Sequence, residues 1–307
     1  MSIGLSPISN IVINVGDQAS CQTLINLVSE VFRNISSIIF LMKQPPSLYL
    51  DFSEVKKTTF DFEEFGFFIK NTDFSAAKRI SIILSAPLLT KELVSICNEK
   101  KVSLEVAIDP HDDFFVEKHM DSFLDIKIQL KNDANPIALF KKLSMRNFHS
   151  IDFLLPSNRK LDLFAGQLIK LASYYFEKKN KTSILCIDQL VENYFRVKLN
   201  RPIAHETAGL VILLNGDILK LENYLYLNDQ KKSFHEKWNV HEKDLIDLIL
   251  RKEYYDYAMH SCMSRLEVES ERAILEFVRG SENGFGYSPL IAFYTEYDNY
   301  LKQFISI

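Results

Sequence analysis

Glycine is scarce in this chain, nine among 307 residues, and the few present make no phosphate-binding pattern. Gly16, Gly66, Gly166 and Gly209 fit neither the G-x-G-x-x-G nor the P-loop spacing, which excludes dinucleotide and NTPase chemistry. No G-x-S-x-G elbow occurs either, so a serine nucleophile of that kind is excluded. Only four cysteines are present, Cys21, Cys97, Cys186 and Cys262, and no two share a C-x-x-C spacing. A zinc or iron–sulfur site built from sequence neighbours is therefore ruled out. Positive charge is not in excess: the net charge is -4, so no overall basic field draws nucleic acid or anionic lipid. No apolar run approaches the 18 or so residues that span a bilayer, and no signal peptide is recognisable. The expectation is a cytoplasmic protein with reduced thiols. Internal repeats and low-complexity tracts are also missing.

What remains is the composition of a soluble globular protein, 47% hydrophobic and 25% charged, long enough for one barrel-like domain or two ordinary ones. The most informative stretch runs from Lys78 to Pro110. Ile80–Leu84 is a β-branched run suited to a buried strand, and Pro87 breaks it. Thr90 stands at an N-cap position, with Leu93, Val94 and Cys97 forming an apolar stripe behind it. Glu99-Lys100-Lys101 ends that helix, and Val102–Ile108 is a second strand. Strand, helix, strand is a βαβ unit, parallel and right-handed.

The same reading extends outward. Ile8–Val15 is a strand, Cys21–Arg33 a helix, and Ser37–Met42 a strand ending at Gln44-Pro45-Pro46. Between Leu48 and Thr72 the pattern is poor; the aromatics of Phe60–Phe68 suit either a strand pair or an irregular insertion. A short helix over Val116–Phe123 precedes a strand at Leu124–Leu130. Asn135-Pro136 opens a helix to Leu143, Ser150–Leu155 is a strand, and Lys160–Lys178 is an amphipathic helix. Ile184–Lys198 is helical. Ala208–Leu214, Asn215-Gly216-Asp217 and Ile218–Leu221 make a hairpin whose turn residues supply positive φ. Helices follow at Asp244–Leu250, Leu266–Val278 and Leu290–Ile305, with a loop at Gly280–Gly286. The fold class is α/β: a partial (β/α) barrel with parallel strands, then an α+β extension containing the hairpin.

Several strand ends carry recognisable letters. Ser85-Ala86-Pro87-Leu88-Leu89-Thr90 follows one strand and Ala107-Ile108-Asp109-Pro110 ends the next. Asn215-Gly216-Asp217-Ile218 forms the hairpin, Trp238-Asn239-Val240 leads to Asp244–Ile249, Tyr254-Tyr255 follows, then Ser261-Cys262. This series resembles the radical S-adenosylmethionine superfamily with a SPASM-type C-terminal extension. The resemblance implies a barrel over residues 1–200 and a SPASM-like extension over 201–307. It also implies three cysteines after the first strand and a Gly-Gly-Glu-Pro-like turn after the second. Here the first loop offers only Cys21, and Gln44-Pro45-Pro46 is taken as the second turn, with neither Gly nor Glu. In the extension, Leu221–Asn223 stands near an expected cysteine and Arg265 where a partner of Cys262 belongs. The expectation is a pseudoenzyme with no cofactor and no iron–sulfur cluster. It would bind a ribosomally made peptide, an active maturase, or both, as a hetero- or homo-oligomer.

The competing reading is an α/β-barrel hydrolase or lyase using Asp109 and His111, with His205, with or without a divalent metal. Asp109, His111, Asp112 and Asp113 cluster at a strand's C-terminal end, where barrels place their sites, although a solvated acidic loop has the same letters. His205-Glu206 is one imidazole beside one acid and equally suits a cap. His235, His241 and His260 match no zinc spacing with Cys262, and Cys21 is either a helix-start thiol or a buried inert one. Phe293, Tyr297, Tyr300 and Phe304 line one face of the last helix, to pack on the barrel or on another subunit.

Overall fold

The protein is described here from a computed structural model covering residues 8–16, 21–39, 45–55, 60–108, 124–129, 135–145, 148–154, 161–178, 182–199, 209–221, 233–260 and 291–305. Ten strands are found among them: β1 Asn10–Asn14, β2 Ser47–Phe52, β3 Arg79–Ser85, β4 Ser103–Ile108, β5 Leu124–Gln129, β6 Ser150–Leu154, β7 Ser183–Ile184, β8 Gly209–Leu213, β9 Asp217–Lys220 and β10 Ser233–Asn239. They form one sheet in the order β10-β9-β8-β1-β2-β3-β4-β5-β6-β7. Pairs β1–β2, β2–β3, β3–β4, β1–β8 and β6–β7 are parallel, whereas β8–β9 and β9–β10 are antiparallel. This is a mixed α/β fold of the partial (β/α) barrel type with a C-terminal hairpin.

The βαβ unit stands where the sequence places it. Helix α3 (Lys91–Glu99) connects β3 to β4, and the Thr90 side chain accepts the Leu93 N–H at 3.2 Å. Lys101 takes a left-handed φ of 58° at the helix exit. Three other assignments change. Helix α1 runs over Cys21–Ile38, so the strand expected at Ser37–Met42 is not formed there: Ser37 and Ile38 are the helix end, and 40–42 lie outside the described residues. Burial of Val31, Ile35 and Ile38 continues the stripe of Leu24, Leu27 and Val28 at helical spacing, which settles the period in favour of helix. The second strand is instead β2, and the aromatic stretch after it is helix α2 (Phe62–Asn71), capped by Asp61 on the N–H groups of Glu63 and Glu64. Strand β10 has no counterpart in the sequence reading.

Two compact units emerge from the contacts: Met1–Ile108, Phe114–Asp125 and Glu206–Cys262 in one, Asp109–Asp113, Ile126–His205 and Met263–Ile307 in the other. The hairpin falls in the first of these units, where β8 pairs along the whole of β1. In this first unit the turn residue Gly216 has φ +85°, and a Cβ there would lie 2.5 Å from the His241 ring. Asp217 accepts from Asn215 and Asn239 at 2.9 and 3.0 Å, and Lys237 approaches at 3.3 Å. The Tyr257 hydroxyl donates to Gly209 O at 2.7 Å and accepts from Leu221 N at 2.8 Å, closing the open end of the hairpin.

The second unit holds helices α4 (Pro136–Ser144), α5 (Leu161–Lys178), α6 (Leu185–Lys198) and the last described helix, Ile291–Ile305. Phe293, Tyr294 and Tyr297 are buried there. Tyr297 meets Phe176 and Tyr194 at ring distances of 5.5 and 5.3 Å, and the Tyr294 hydroxyl donates to Leu190 O at 3.3 Å. No described helix is long and apolar enough to cross a membrane.

One tie in the first unit links distant parts of the chain. Helix α7 (Leu245–Ile249) makes no side-chain cap of its own from Asp244; the Leu245 N–H is accepted at 2.9 Å by the buried Asn34 carbonyl oxygen on α1. Asn34→Ala leaves that N–H buried without an acceptor and is expected to lower stability by about 1–3 kcal/mol, measured by urea unfolding. The hairpin carries an acid dependence of known sign. Burial raises the Asp217 carboxyl, but its hydrogen bonds from Asn239, Asn215 and Lys237 outweigh that and hold it below the usual carboxylate range. Its stabilisation is therefore present above the unfolded-state value and fades as pH falls through the lower folded one. Asp217→Asn is expected to flatten the acid limb of the stability profile, checked by thermal melts between about pH 2 and 5.

Candidate functional site

Residues in register across a parallel sheet share a face. Ile11, Ile13, Leu48, Leu50, Phe52, Ile80, Ile82, Leu84, Leu104 and Val106 all fall on one face of β1–β4, and all are buried. Phe52 stacks edge-on against Phe65 of α2 with ring centroids 4.9 Å apart, so this is the helix-covered side. The opposite face reads differently. From the strand starts toward the strand ends it carries Asn10, Ser47 and Arg79; then Val12, Tyr49, Ser81 and Ser103; then Asn14, Asp51, Ile83 and Glu105. A parallel sheet covered by helices on both sides has apolar residues in both sets. Here one side is wholly apolar and the other mostly polar, with Val12 and Ile83 among its buried residues, the arrangement of a barrel wall.

Several polar side chains on this face are nevertheless buried: Asn14, Asp51, Ser81 and Glu105. The Asp51 carboxylate accepts from Ser53 N at 2.9 Å, and the Val15 N–H bonds to Asp51 O at 3.1 Å, which ties the end of β1 to the end of β2. Arg79 reaches along the face from the start of β3. Its Nε donates to Ser103 Oγ at 3.3 Å, and its guanidinium lies 3.8 Å from Glu105 and 3.3 Å from Asp125. At the strand ends the same face offers only small residues: Gly16 with φ +63°, Ser53, Ser85 and Ala107. Strand ends of this kind are where α/β barrels bind ligands.

Where β2 ends also corrects the reading of the turn after it. Gln44-Pro45-Pro46 precedes β2; Pro46 O accepts from Lys78 N at 2.9 Å before the strand begins. The residues that follow β2 are Ser53-Glu54-Val55, so a glutamate does stand at the second strand end, exposed to solvent. Misreading 37–42 as a strand hid it. The remaining candidates divide clearly. Asp109, His111, Asp112 and Asp113, and His205-Glu206, lie outside the described residues, as do Leu266–Val278 and Arg265. Among the described residues no group of three or more His, Cys, Asp or Glu could hold a metal ion. Cys97 and Cys186 are buried, the first with its thiol pushed up to about 12 by burial and the second raised further still, so neither is a ready thiolate. Cys21 opens α1. Phe293 and Tyr297, candidates for a partner surface, are buried in the second unit, where three rings from α5 and α6 close on Tyr297, which in turn stacks on Phe293; the side chains of Tyr300 and Phe304 are not described.

The fold defined by this sheet, its order and its hairpin is one that solved structures share. Three solved structures share it at 12% sequence identity: native anSMEcpe with bound AdoMet and Cp18Cys peptide, with a TM-score of 0.61 over 98% of both chains; polyhistidine-tagged anSMEcpe with bound AdoMet, 0.62 over 98% of this chain and 95% of that one; and native anSMEcpe with bound AdoMet, 0.61 over 98% and 99%. No family model and no curated protein matches the sequence. These structures overturn the expectation of a protein without a cofactor, since AdoMet is bound in all three of them. The residues present fit it in that the strand-end row is small, carries two hydroxyls and is flanked by Glu54. The same residues do not fit a cluster held by three thiolates, because Cys21 is the one cysteine between β1 and β2.

Arg79 is the cation that links β3, β4 and Asp125 on this face. Arg79→Met is expected to cost about 2 kcal/mol, since Glu105 is far less exposed than a surface carboxylate. Glu105→Gln in the same chain should recover part of the loss; a double-mutant cycle in urea measures the coupling.

Proposed function

We propose that this chain binds AdoMet and a peptide on the polar face of its barrel, and serves peptide maturation as a binding subunit rather than as the enzyme that cleaves AdoMet. The observation that carries the reading is the polar face itself, running from Arg79 through Asp51 and Glu105 to the small strand-end row. It is supported by the bound AdoMet and peptide in solved structures of this fold. In the proposal Glu54, a carboxylate at the end of β2, accepts the AdoMet amino group. Ser53 and Ser85 supply hydroxyls beside it, and Gly16 lets the cofactor come close to the β1 backbone. With a single cysteine in the segment where three thiolates are needed, electron delivery to AdoMet has no anchor, and binding without turnover is what remains. The partner on this reading is an active maturase that shares the peptide.

Equilibrium dialysis with labelled AdoMet tests it. One AdoMet per chain is expected, with Glu54→Ala weakening the affinity about tenfold or more. Incubation with dithionite is expected to yield no 5′-deoxyadenosine. Failure to bind AdoMet defeats the site; stoichiometric cleavage defeats the binding-subunit role.

A further inference from the structure

The polar face also holds a group that the fold leaves unaccounted for. Ser81 lies in the middle of β3, is 0% exposed, and its hydroxyl has no hydrogen-bond partner among the described residues. Its register neighbours are Tyr49 on β2 and Ser103 on β4, and the Ser103 hydroxyl is engaged by Arg79. One step nearer the strand ends, Asp51 and Glu105 occupy the same two flanking strands on either side of Ile83. A buried hydroxyl without a partner forfeits its hydration for nothing, and native proteins rarely keep one. Replacement by alanine or valine would relieve it in a single step, and the four residues Ile80, Ile82, Ile83 and Leu84 of β3 are already aliphatic. The hydroxyl therefore makes sense as half of a hydrogen bond completed by a ligand.

We propose that Ser81 reads the peptide: the side chain that enters this face bears N–H donors and no negative charge, an amide or amine such as glutamine or lysine. The inference rests on the reading of this face as a peptide site and adds the class of residue it selects. The donor requirement follows from the neighbours. The carboxylates of Asp51 and Glu105, 8% and 4% exposed, only accept hydrogen bonds, while the serine hydroxyl accepts or donates. A carboxylate entering here meets two buried carboxylates, and an alkyl side chain leaves the hydroxyl as it was.

Ser81→Ala in the full chain gives two independent readings. Without ligand, removing an unsatisfied hydroxyl is expected to leave the melting temperature unchanged or raise it by about 2 °C. A fall of that size would show that the hydroxyl serves the fold, and the proposal would be lost. Binding is then read by fluorescence anisotropy with capped, labelled pentapeptides carrying Gln, Lys, Leu or Glu between pairs of alanines, at saturating AdoMet. The Gln and Lys peptides are expected to bind about fivefold more tightly than the Leu peptide, with Glu weakest, and Ser81→Ala to erase the advantage over Leu. Equal binding of all four, or a preference that survives Ser81→Ala, overturns the role of Ser81 while leaving peptide binding in place. No binding of any peptide, with AdoMet dialysis run alongside, overturns both the inference and the peptide site it rests on.

Discussion

The two-residue period of β1–β4 is the constraint from which the first unit follows. Each strand has to give one face to the helices, and it does so without exception: Ile11 and Ile13, Leu48 and Leu50, Ile80 and Ile82, Leu104 and Val106 are all buried. A register slip of one residue would turn Asn14, Asp51 and Glu105 into the helix layer and bring isoleucine and leucine to the other side. That penalty, repeated over four strands, fixes the register far more firmly than any single hydrogen bond. It also aligns Asn14 and Asp51 at adjacent strand ends. The site is thus a by-product of the same alternation that makes the core.

How much of this was legible depended on whether a segment carried its own boundary signals. Between Lys78 and Pro110 every signal was local: a β-branched run, a proline, a capping threonine and a basic exit. The structure follows each of them. Asn135-Pro136 and Asn215-Gly216-Asp217 were read correctly for the same reason, since an N-cap and a positive-φ turn are decided by one or two residues. Asn34 shows the opposite case. Its carbonyl caps a helix that starts 211 residues later, and nothing around position 34 could announce that.

The error at Ser37–Met42 had larger consequences than its length suggests. Ile38, Ile39, Phe40, Leu41 and Met42 follow a serine pair and precede a proline pair, which has the look of a strand and its terminator. The helical stripe of α1 was in fact still running, and Ile35 and Ile38 belong to it. Short apolar runs do not separate helix from strand by periodicity alone. Taking that run as a strand makes the prolines its end, leaves β2 inside the poorly patterned stretch, and hides Glu54. The polar face was equally hidden, because it needs the register of four strands at once, and three of its residues come from segments that looked unrelated.

Cysteine and glutamate therefore have to be weighed separately in this barrel. The thiolates that would hold a cluster are missing from the segment between β1 and β2, but a carboxylate at the end of β2 is present. On the proposed reading, affinity for AdoMet comes from hydrogen bonds and contact at the strand ends. Those depend on approach, and approach depends on side-chain size. Gly16, Ser53, Ser85 and Ala107 are all small, and of the four only Gly16 takes a positive φ. A barrel that had lost its ligand altogether would be under no such limit, since larger apolar residues in that row would bury more surface and stabilise the sheet. A small row above a polar face that keeps a buried, unpartnered hydroxyl is what the proposed binding role calls for.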